Sequence, residues 1–277
     1  MLWTMKTAVN QWCFPEGTAL SRVFQTSRDA GLDGVELNLY EPGSVGLTME
    51  STLAEARAVR EEANSHGLEL KSLSTGLLWG APLSSPDAAV RGRGKDIVRK
   101  QLQLASEMEM DAVLVVPGSV TDEVSYEDCY SRSQEELVAL EKDARRLGVR
   151  IAIENVWNRF LLSPLDMARY VDELQSDVFG VYFDVGNVLQ FGFPQQWIRY
   201  LGGRIAKVHV KDFSLAVGNI TGFVPLLAGD VDWSAVRGAL DDIGYTDYLT
   251  AELSPYAAHP EQLIHDTARH LSLIFGR

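Results

Sequence analysis

Four stretches of the sequence share one pattern: VRIAIEN (149–155), GVYFDVGN (180–187), IAKVHVKD (205–212) and YLTAEL (248–253). Each is a short run of mainly apolar and β-branched residues, which is typical of a strand buried on both faces of a parallel sheet. Each run also ends on, or close to, one ionisable side chain. The stretches are separated by lengths that can hold a helix, so they predict consecutive strand–helix units.

Similar apolar runs continue towards the start of the chain. In all, eight strands are predicted, at 7–13, 34–38, 69–74, 112–116, 150–154, 180–184, 205–210 and 248–252. The periodicity between them predicts helices at 18–30, 49–66, 86–110, 131–147, 164–175, 194–201, 233–243 and 260–274. The pairs Ser85–Pro86 and Ser163–Pro164 predict two helix starts, because serine caps the first turn and proline fits the first helical position.

Eight strand–helix pairs in 277 residues fit one (β/α)8 barrel, which typically takes about 250 residues. An open, dinucleotide-binding sheet fits less well, because no GxGxxG motif follows the first predicted strand. No linker-like or low-complexity tract interrupts the chain. We therefore expect an α/β protein with a single TIM-barrel domain over residues 1–277.

The composition narrows the possible partners and location. The 38 acidic residues outnumber the 25 Lys and Arg residues, and the net charge of −13 opposes binding to nucleic acid. The two cysteines, Cys13 and Cys129, are too few for a disulfide framework. No secretory signal pattern is present, and no segment has the ~20 consecutive apolar residues of a membrane span. We expect a cytoplasmic protein without a membrane or nucleic-acid partner.

Active sites of such barrels lie at the C-terminal ends of the strands. The last four predicted strands each end on or near one candidate: Glu154, Asp184, His209 and Glu252. Any one of these could be explained by a helix cap or an ion pair, but four on consecutive strands favour a joint metal site. Three carboxylates and one imidazole suit Mn²⁺ best, with Mg²⁺ or Co²⁺ as alternatives. We therefore expect one bound divalent cation.

Several longer segments carry a family resemblance. They are GLDGVELNL (31–39), VVPG (115–118), IAIENVWNRFLLSP (151–164), YFDVGNVLQFGFP (182–194), IAKVHVKDF (205–213), LAGDVDW (227–233) and YLTAEL (248–253). Together they resemble the sugar phosphate isomerase/epimerase superfamily of xylose isomerase-like barrels. Within it they are close to the ketose 3-epimerases and the ketose-5-phosphate 3-epimerases.

The resemblance implies a mechanism and a partner. The metal would hold a ketose through its carbonyl and the adjacent hydroxyl, with Glu154 and Glu252 on opposite sides of the carbon between them. One glutamate would remove the proton, the cation would stabilise a cis-enediolate, and the other glutamate would return a proton to the opposite face. The resemblance also suggests a homodimer or homotetramer acting on a small sugar.

Six further residues are candidates for contacts with the substrate: Glu36, Trp12, Trp157, Asn187, Lys211 and Arg159. Glu36 ends the second predicted strand and is expected to bind a hydroxyl. Epimerases of free ketoses often carry histidine and arginine near the positions of Asn187 and Lys211, so these two mark a departure. Lys211 and Arg159 could bind a phosphate, or instead pair with acidic neighbours such as Asp212 and Asp166.

Other activities remain open at this level. Aldose–ketose isomerisation uses the same enediolate, and a lyase similar to inosose dehydratase would use the same base and metal to expel a hydroxyl. An endonuclease of the related abasic-site class needs several more histidines near the rim, and the net charge opposes DNA binding. A non-catalytic sugar-binding barrel would not need both proton-transfer glutamates.

Overall fold

A computed structural model describes residues 5–276. Eight parallel strands form the barrel: β1 Lys6–Asn10, β2 Gly34–Tyr40, β3 Glu69–Thr75, β4 Ala112–Val115, β5 Arg150–Glu154, β6 Phe179–Asp184, β7 Ile205–Val210 and β8 Tyr248–Ala251. They pair in chain order, and β1 pairs with both β2 and β8, so the sheet closes on itself. The predicted (β/α)8 barrel is confirmed.

In the described part of the chain, ten helices surround or cap this barrel: α1 Leu20–Asp29, α2 Leu53–Ser65, α3 Ala88–Glu107, α4 Tyr126–Val138, α5 Glu141–Leu147, α6 Pro164–Glu173, α7 Val185–Leu189, α8 Pro194–Leu201, α9 Trp233–Asp242 and α10 Gln262–Phe275. Short 3-10 turns occur at Gln11–Cys13, Leu77–Trp79, Gly202–Arg204 and Ile220–Gly222. Between residues 5 and 276, no helix is long and apolar enough to cross a membrane.

Local capping explains where several elements begin. Ser163 accepts a hydrogen bond from the Asp166 backbone N–H, and Pro164 occupies the first turn of α6, as predicted. The predicted start at Ser85–Pro86 is wrong, because Asp87 caps α3 and accepts a hydrogen bond from the Ala89 N–H. Proline at position 86 therefore lies before the helix rather than in its first turn.

Two predicted elements differ from the structure, and two observed elements were not predicted. The first strand ends at Asn10, because the Asn10 side chain accepts a hydrogen bond from the Trp12 N–H and starts a 3-10 turn. The helix predicted at 131–147 is two helices, α4 and α5, separated at residues 139–140. The short α7 and a small hairpin between Asp212–Phe213 and Phe223–Val224 were not predicted. Both lie at the C-terminal end of the barrel, where function is expected.

Two strands carry irregularities that aim side chains into the barrel. The pairing of β2 with β3 shifts register between Val35 and Leu37, beside Glu36. The pairing of β6 with β7 shifts between Val181 and Tyr182. Such bulges re-aim side chains locally. Glu36 and Tyr182, which lie at these two shifts, are both fully buried and hydrogen bonded to each other.

Candidate metal centre

The four predicted ligands lie on adjacent strands at one end of the barrel. Glu154 is the last residue of β5, Asp184 is the last residue of β6, and Glu252 directly follows β8. His209 lies in β7 and pairs in register with Asp184. Because the strands are parallel, all four side chains emerge at the same rim.

Their ligand atoms form one compact cluster. One donor atom from each of the four residues lies within 4.8 Å of every other. The His209 Nδ1 atom is 3.4 Å from Glu252 Oε2, 3.8 Å from Glu154 Oε1 and 4.0 Å from Asp184 Oδ2. Three of these side chains are nearly inaccessible to solvent, and only Glu252 is about one-fifth exposed. The cluster is therefore closed below and open on the Glu252 side.

The orientation of His209 is set from below by Glu36. The Glu36 Oε2 atom lies 2.6 Å from His209 Nε2, so this nitrogen carries the proton and Nδ1 faces the three carboxylates. Glu36 also accepts hydrogen bonds from Tyr182 (2.5 Å), Ser72 (2.7 Å) and Asn10 (2.5 Å). A carboxylate held by four donors restricts the imidazole to one tautomer and one rotation, as in the carboxylate–histidine pairs of metal sites.

The Asp184 carboxylate divides its two oxygens between the fold and the cluster. Its Oδ1 accepts a hydrogen bond of 2.7 Å from the Asn187 N–H and caps α7. Its Oδ2 is buried without a hydrogen-bond partner in the described part of the chain, and so is His209 Nδ1. Buried polar atoms are normally satisfied. Two such atoms, facing two more carboxylates, are what a divalent cation with oxygen and imidazole ligands requires, so these residues fit a metal.

The electrostatics of the cluster follow from burial and from close charges. Burial raises the pKa of Glu154 to about 7, and the nearby Glu252 charge adds to the shift. Burial also raises the pKa of Asp184. For Glu252, burial is outweighed by Lys211 and His209, which lower its pKa. For His209, burial is outweighed by Glu36 and neighbouring carboxylates, which raise its pKa well above the usual value.

Lys211 is part of the same cluster. Its Nζ lies 2.7 Å from Glu252 Oε2 and 3.3 Å from Asp184 Oδ2. The pairing with Asp212 that the sequence left open is therefore not formed. Gly186 makes this position possible, because a Cβ there would lie 2.5 Å from Lys211 Cγ. The three ligand carboxylates consequently have one permanent cation beside them.

Two of the predicted aromatic residues lie on opposite sides of the rim. Trp157 packs against Phe191, Phe213 and Phe223, with ring centroids 5.2 to 5.9 Å apart, and its Nε1 donates to the Asn187 carbonyl at 2.8 Å. Trp12 lies in the turn after β1 and lines a separate rim cavity. The Trp157 cluster forms an apolar wall next to the ends of β5, β6 and β7.

The other two predicted contacts have different surroundings. The Asn187 side chain is buried and donates to the Asn155 carbonyl at 2.9 Å, so it braces two loops. Arg159 is exposed and has a positive φ of 61° in the loop between β5 and α6. Of the six predicted contacts, Lys211 touches the cluster through its side chain and Asn187 through its backbone N–H, while Glu36 reaches the cluster from inside the barrel.

Sequence reasoning missed two residues that shape this end of the barrel. Asn155 exchanges two hydrogen bonds of 2.8 Å with the backbone of Asp184. Asp212 is fully buried and accepts hydrogen bonds from the N–H groups of three loop residues and from Trp233 Nε1. A polar residue directly after an apolar strand is the signal that could have identified each of them.

Comparison with known proteins agrees with this geometry. The profile of the xylose isomerase-like TIM barrel family matches residues 24–273. The chain belongs to this family. The resemblance found in the sequence is thereby confirmed, and it covers nearly the whole barrel.

Relatives within the family are epimerases. The chain is 27% identical over 257 residues to the L-ribulose 3-epimerase of Mesorhizobium japonicum, covering 90% of this chain and 80% of that protein. It is 27% identical over 253 residues to the L-ribulose-5-phosphate 3-epimerase UlaE of Escherichia coli K12, covering 89% and 86%. These relatives place the chain among isomerase-class enzymes.

Solved structures show the same fold at lower sequence identity. An L-ribulose 3-epimerase has a TM-score of 0.82 and 20% identity, over 98% of this chain and 95% of the other. The 3-keto-D-glucoside 4-epimerase YcjR of E. coli has a TM-score of 0.79 and 17% identity, over 99% and 100%. This family architecture therefore extends over essentially the full described chain.

Proposed function

We propose that this protein is a divalent-metal-dependent 3-epimerase of a ketose. The observation that carries the proposal is that two glutamates, Glu154 and Glu252, approach one histidine nitrogen from separate strands, β5 and the end of β8. A substrate carbon between them would meet one carboxylate on each face. This arrangement can remove a proton from one side and return one to the other.

The residues of the cluster have different roles in the proposed reaction. Glu154, Asp184, His209 and Glu252 would hold the cation, with Mn²⁺ the best match to three carboxylates and one imidazole. When bound, the cation supplies Lewis-acid stabilisation of the enediolate oxygens. One glutamate takes the proton from C3 and the other delivers a proton to the opposite face, which inverts that carbon. Lys211, whose Nζ lies 2.7 Å from Glu252 Oε2, lowers the pKa of Glu252 and so favours the ionised form of this carboxylate.

Glu36 has a positioning role in this proposal. Its carboxylate lies on the barrel side of His209 and is occupied by four donors. The hydroxyl contact expected from the sequence is not supported by this position, because the side chain is only 1% exposed and the imidazole separates it from the rim. Glu36 instead fixes His209 with Nδ1 towards the metal ligands.

Proton exchange at C3 tests the proposal directly. Protein loaded with Mn²⁺ is incubated in D2O with a panel of ketoses and ketose phosphates, and deuterium uptake is followed by NMR. We expect uptake at C3 that stops after EDTA treatment and falls about 10³-fold in Glu252→Gln. Lys142→Gln, a substitution on the outer helix α5, is the matched charge-to-amide control and should retain full exchange.

The pattern of products separates the competing activities. Epimerisation keeps the carbonyl at C2, aldose–ketose isomerisation moves it to C1, and a lyase similar to inosose dehydratase releases water. Tight binding of one Mn²⁺ without exchange in any sugar would reject the epimerase and favour the lyase on another polyol. The homo-oligomer and the cytoplasmic location expected from the sequence stay predictions, and light scattering after size-exclusion chromatography measures the first.

A further inference from the structure

The loop segments at the end of the barrel that carries the metal centre contain few Lys and Arg residues. The segments that follow the eight strands at this end are 11–19, 41–52, 76–87, 116–125, 155–163, 185–193, 211–232 and 252–261. Of the 25 Lys and Arg residues in the chain, these segments contain two, Arg159 and Lys211, together with 11 acidic residues. The other described Lys and Arg residues lie in the helices or towards the other end of the strands. Four of them on α1 and α3 reach the rim segments: Arg22 and Arg93 pair with Glu261 and Glu41, and Arg91 and Lys100 donate to the carbonyls of Ser85 and Ser51.

Neither of the two cations forms a phosphate site. Lys211 is buried and bound to Glu252 and Asp184, so its charge is committed to the metal ligands. Arg159 is exposed on a single loop, and the other cation of the eight segments, Lys211, is paired with carboxylates, so these segments supply no second free cation to share a phosphate with it. Recognition of a phosphate dianion normally uses a cluster of Arg or Lys, or a helix N-terminus free of nearby acids.

The rim also contains a cavity whose lining suits an uncharged ligand rather than a phosphate. It has a volume of about 560 Å³ and lies between the segments that follow β1, β2 and β8. Its lining includes the rings of Trp12, Phe14 and Tyr40 and the carboxylate of Glu16, and none of the described lining residues is Lys or Arg. Its volume is in the range of small-molecule sites. Aromatic faces with one acid suit the C–H faces and hydroxyls of a sugar and repel a phosphate.

The cavity and the metal centre belong to the same layer of the barrel end. Gln11, which lines the cavity, follows Asn10, and Asn10 donates to Glu36, the residue that holds His209. Glu252 and Pro255, on one short segment after β8, contribute to the cluster and to the cavity respectively.

We infer that the substrate is an uncharged sugar, not a sugar phosphate, whose end remote from the metal lies in the cavity lined by Trp12, Phe14 and Tyr40. This inference rests on the proposed epimerase function and specifies its substrate class. A phosphate carries a charge of about −1.5 to −2 at neutral pH, and it would enter a region with a strong acidic excess. The uncharged sugar meets no such electrostatic barrier.

Matched substrate pairs test the inference. With Mn²⁺-loaded protein, kcat/KM for C3 exchange is measured for L-ribulose and L-ribulose 5-phosphate, and for D-fructose and D-fructose 6-phosphate. We expect the uncharged member of the active pair to be preferred by about tenfold or more. Raising NaCl from about 0.02 to about 0.3 M should narrow the preference, because salt screens the repulsion of the phosphate.

A charge introduced into the cavity provides a second, independent measurement. Ser44 is exposed and lines the cavity. Ser44→Arg should raise kcat/KM of the phosphorylated sugar relative to the uncharged one by about tenfold, and the matched Ser44→Gln should leave the ratio unchanged. Equal ratios in both variants would overturn the placement of the remote end in this cavity.

The outcomes distinguish this inference from the function on which it rests. Preference for the phosphorylated member of a pair overturns the inference and leaves the epimerase proposal intact. Absence of exchange with every sugar overturns both. Preference for the uncharged member, reduced by salt and by Ser44→Arg, supports both.

Discussion

The two ends of the barrel both bury charge, but they balance it differently. At the N-terminal end of β7, Lys207 is almost fully buried, and its Nζ lies 2.7 Å from Asp111 and 2.5 Å from Asp247. Lys6 and Lys71 both pair with Glu69 at the same end. Every one of these cations has a carboxylate partner. Such paired charges are expected at the N-terminal end of a barrel, which contributes to stability.

At the C-terminal end the charges are not matched. Three ligand carboxylates and Glu36 face one lysine and one histidine, and two buried polar atoms, Asp184 Oδ2 and His209 Nδ1, have no hydrogen-bond partner among the described residues. Without a cation such a cluster opposes folding, because like charges are held together away from water. The paired charges at the N-terminal end therefore support the fold. The unmatched charges at the C-terminal end lower its stability but suit it to bind a cation.

The largest expected effect comes from the C-terminal end. Glu154→Gln should lower the rate of C3 exchange by about 10³-fold, because a proton-transfer group and a ligand are lost. The same variant, without metal at pH 8, should unfold at a higher temperature than the metal-free parent. Burial raises the pKa of Glu154 from 4.5 to about 7, so stability is lost as the pH rises between these two values and the loss is complete at pH 8; the amide removes this cost. Calorimetry of both metal-free proteins measures the shift, and a lower melting temperature in the variant would contradict the comparison.

The next effect is the pH dependence of metal binding. Protons compete with the cation for Glu154, whose pKa is raised to about 7, and for His209, whose pKa is also raised. The affinity for Mn²⁺ should therefore fall at least about tenfold per pH unit below about pH 7. The dependence of Mn²⁺ affinity on pH can be measured by isothermal titration calorimetry from about pH 5.5 to about pH 8, a range that brackets pH ~7. A constant affinity over this range would show that these groups are not ligands.

Removing the support beneath the metal centre should have a smaller effect. Glu36→Gln retains the size of the side chain but weakens the hold on His209 Nε2, and we expect Mn²⁺ affinity to fall about 10- to 100-fold. Restoring Mn²⁺ to saturation should recover much of the exchange rate, which a general loss of structure would not allow. Ser72→Ala removes one of the other donors to Glu36 and serves as the milder control.

The smallest effect on activity is expected at the N-terminal end. Asp247→Asn leaves Lys207 with one carboxylate partner, Asp111, and should reduce the free energy of unfolding by about 1 to 3 kcal/mol. The exchange rate at saturating Mn²⁺ should stay within about twofold of the parent, because no ligand moves. Chemical denaturation and the exchange assay together test this. A large loss of exchange in a folded Asp247→Asn protein would contradict the separation of roles between the two ends.

The architecture and the candidate ligands could be predicted from the sequence alone. Strand positions follow from runs of apolar residues, and the start of α6 follows from Ser163 and Pro164, because both signals are local. Glu154, Asp184, His209 and Glu252 could be proposed as candidate ligands because parallel strands bring their C-terminal ends to one rim whatever the details of packing. Where local signals competed, as at Ser85 and Asp87, the prediction was wrong.

The partners of the buried polar groups could be recognised only in the tertiary structure. Glu36 and His209 are 173 positions apart, and Lys211 and Glu252 are 41 apart, yet each pair is hydrogen bonded. From the sequence, Glu36 was expected to bind a substrate hydroxyl. Lys211 was expected to bind a phosphate or to form an ion pair with Asp212. Their actual neighbours depend on the closure of the barrel and on the bulge beside Glu36. Closure is a property of the whole sheet, so no local pattern encodes which side chains it brings into contact.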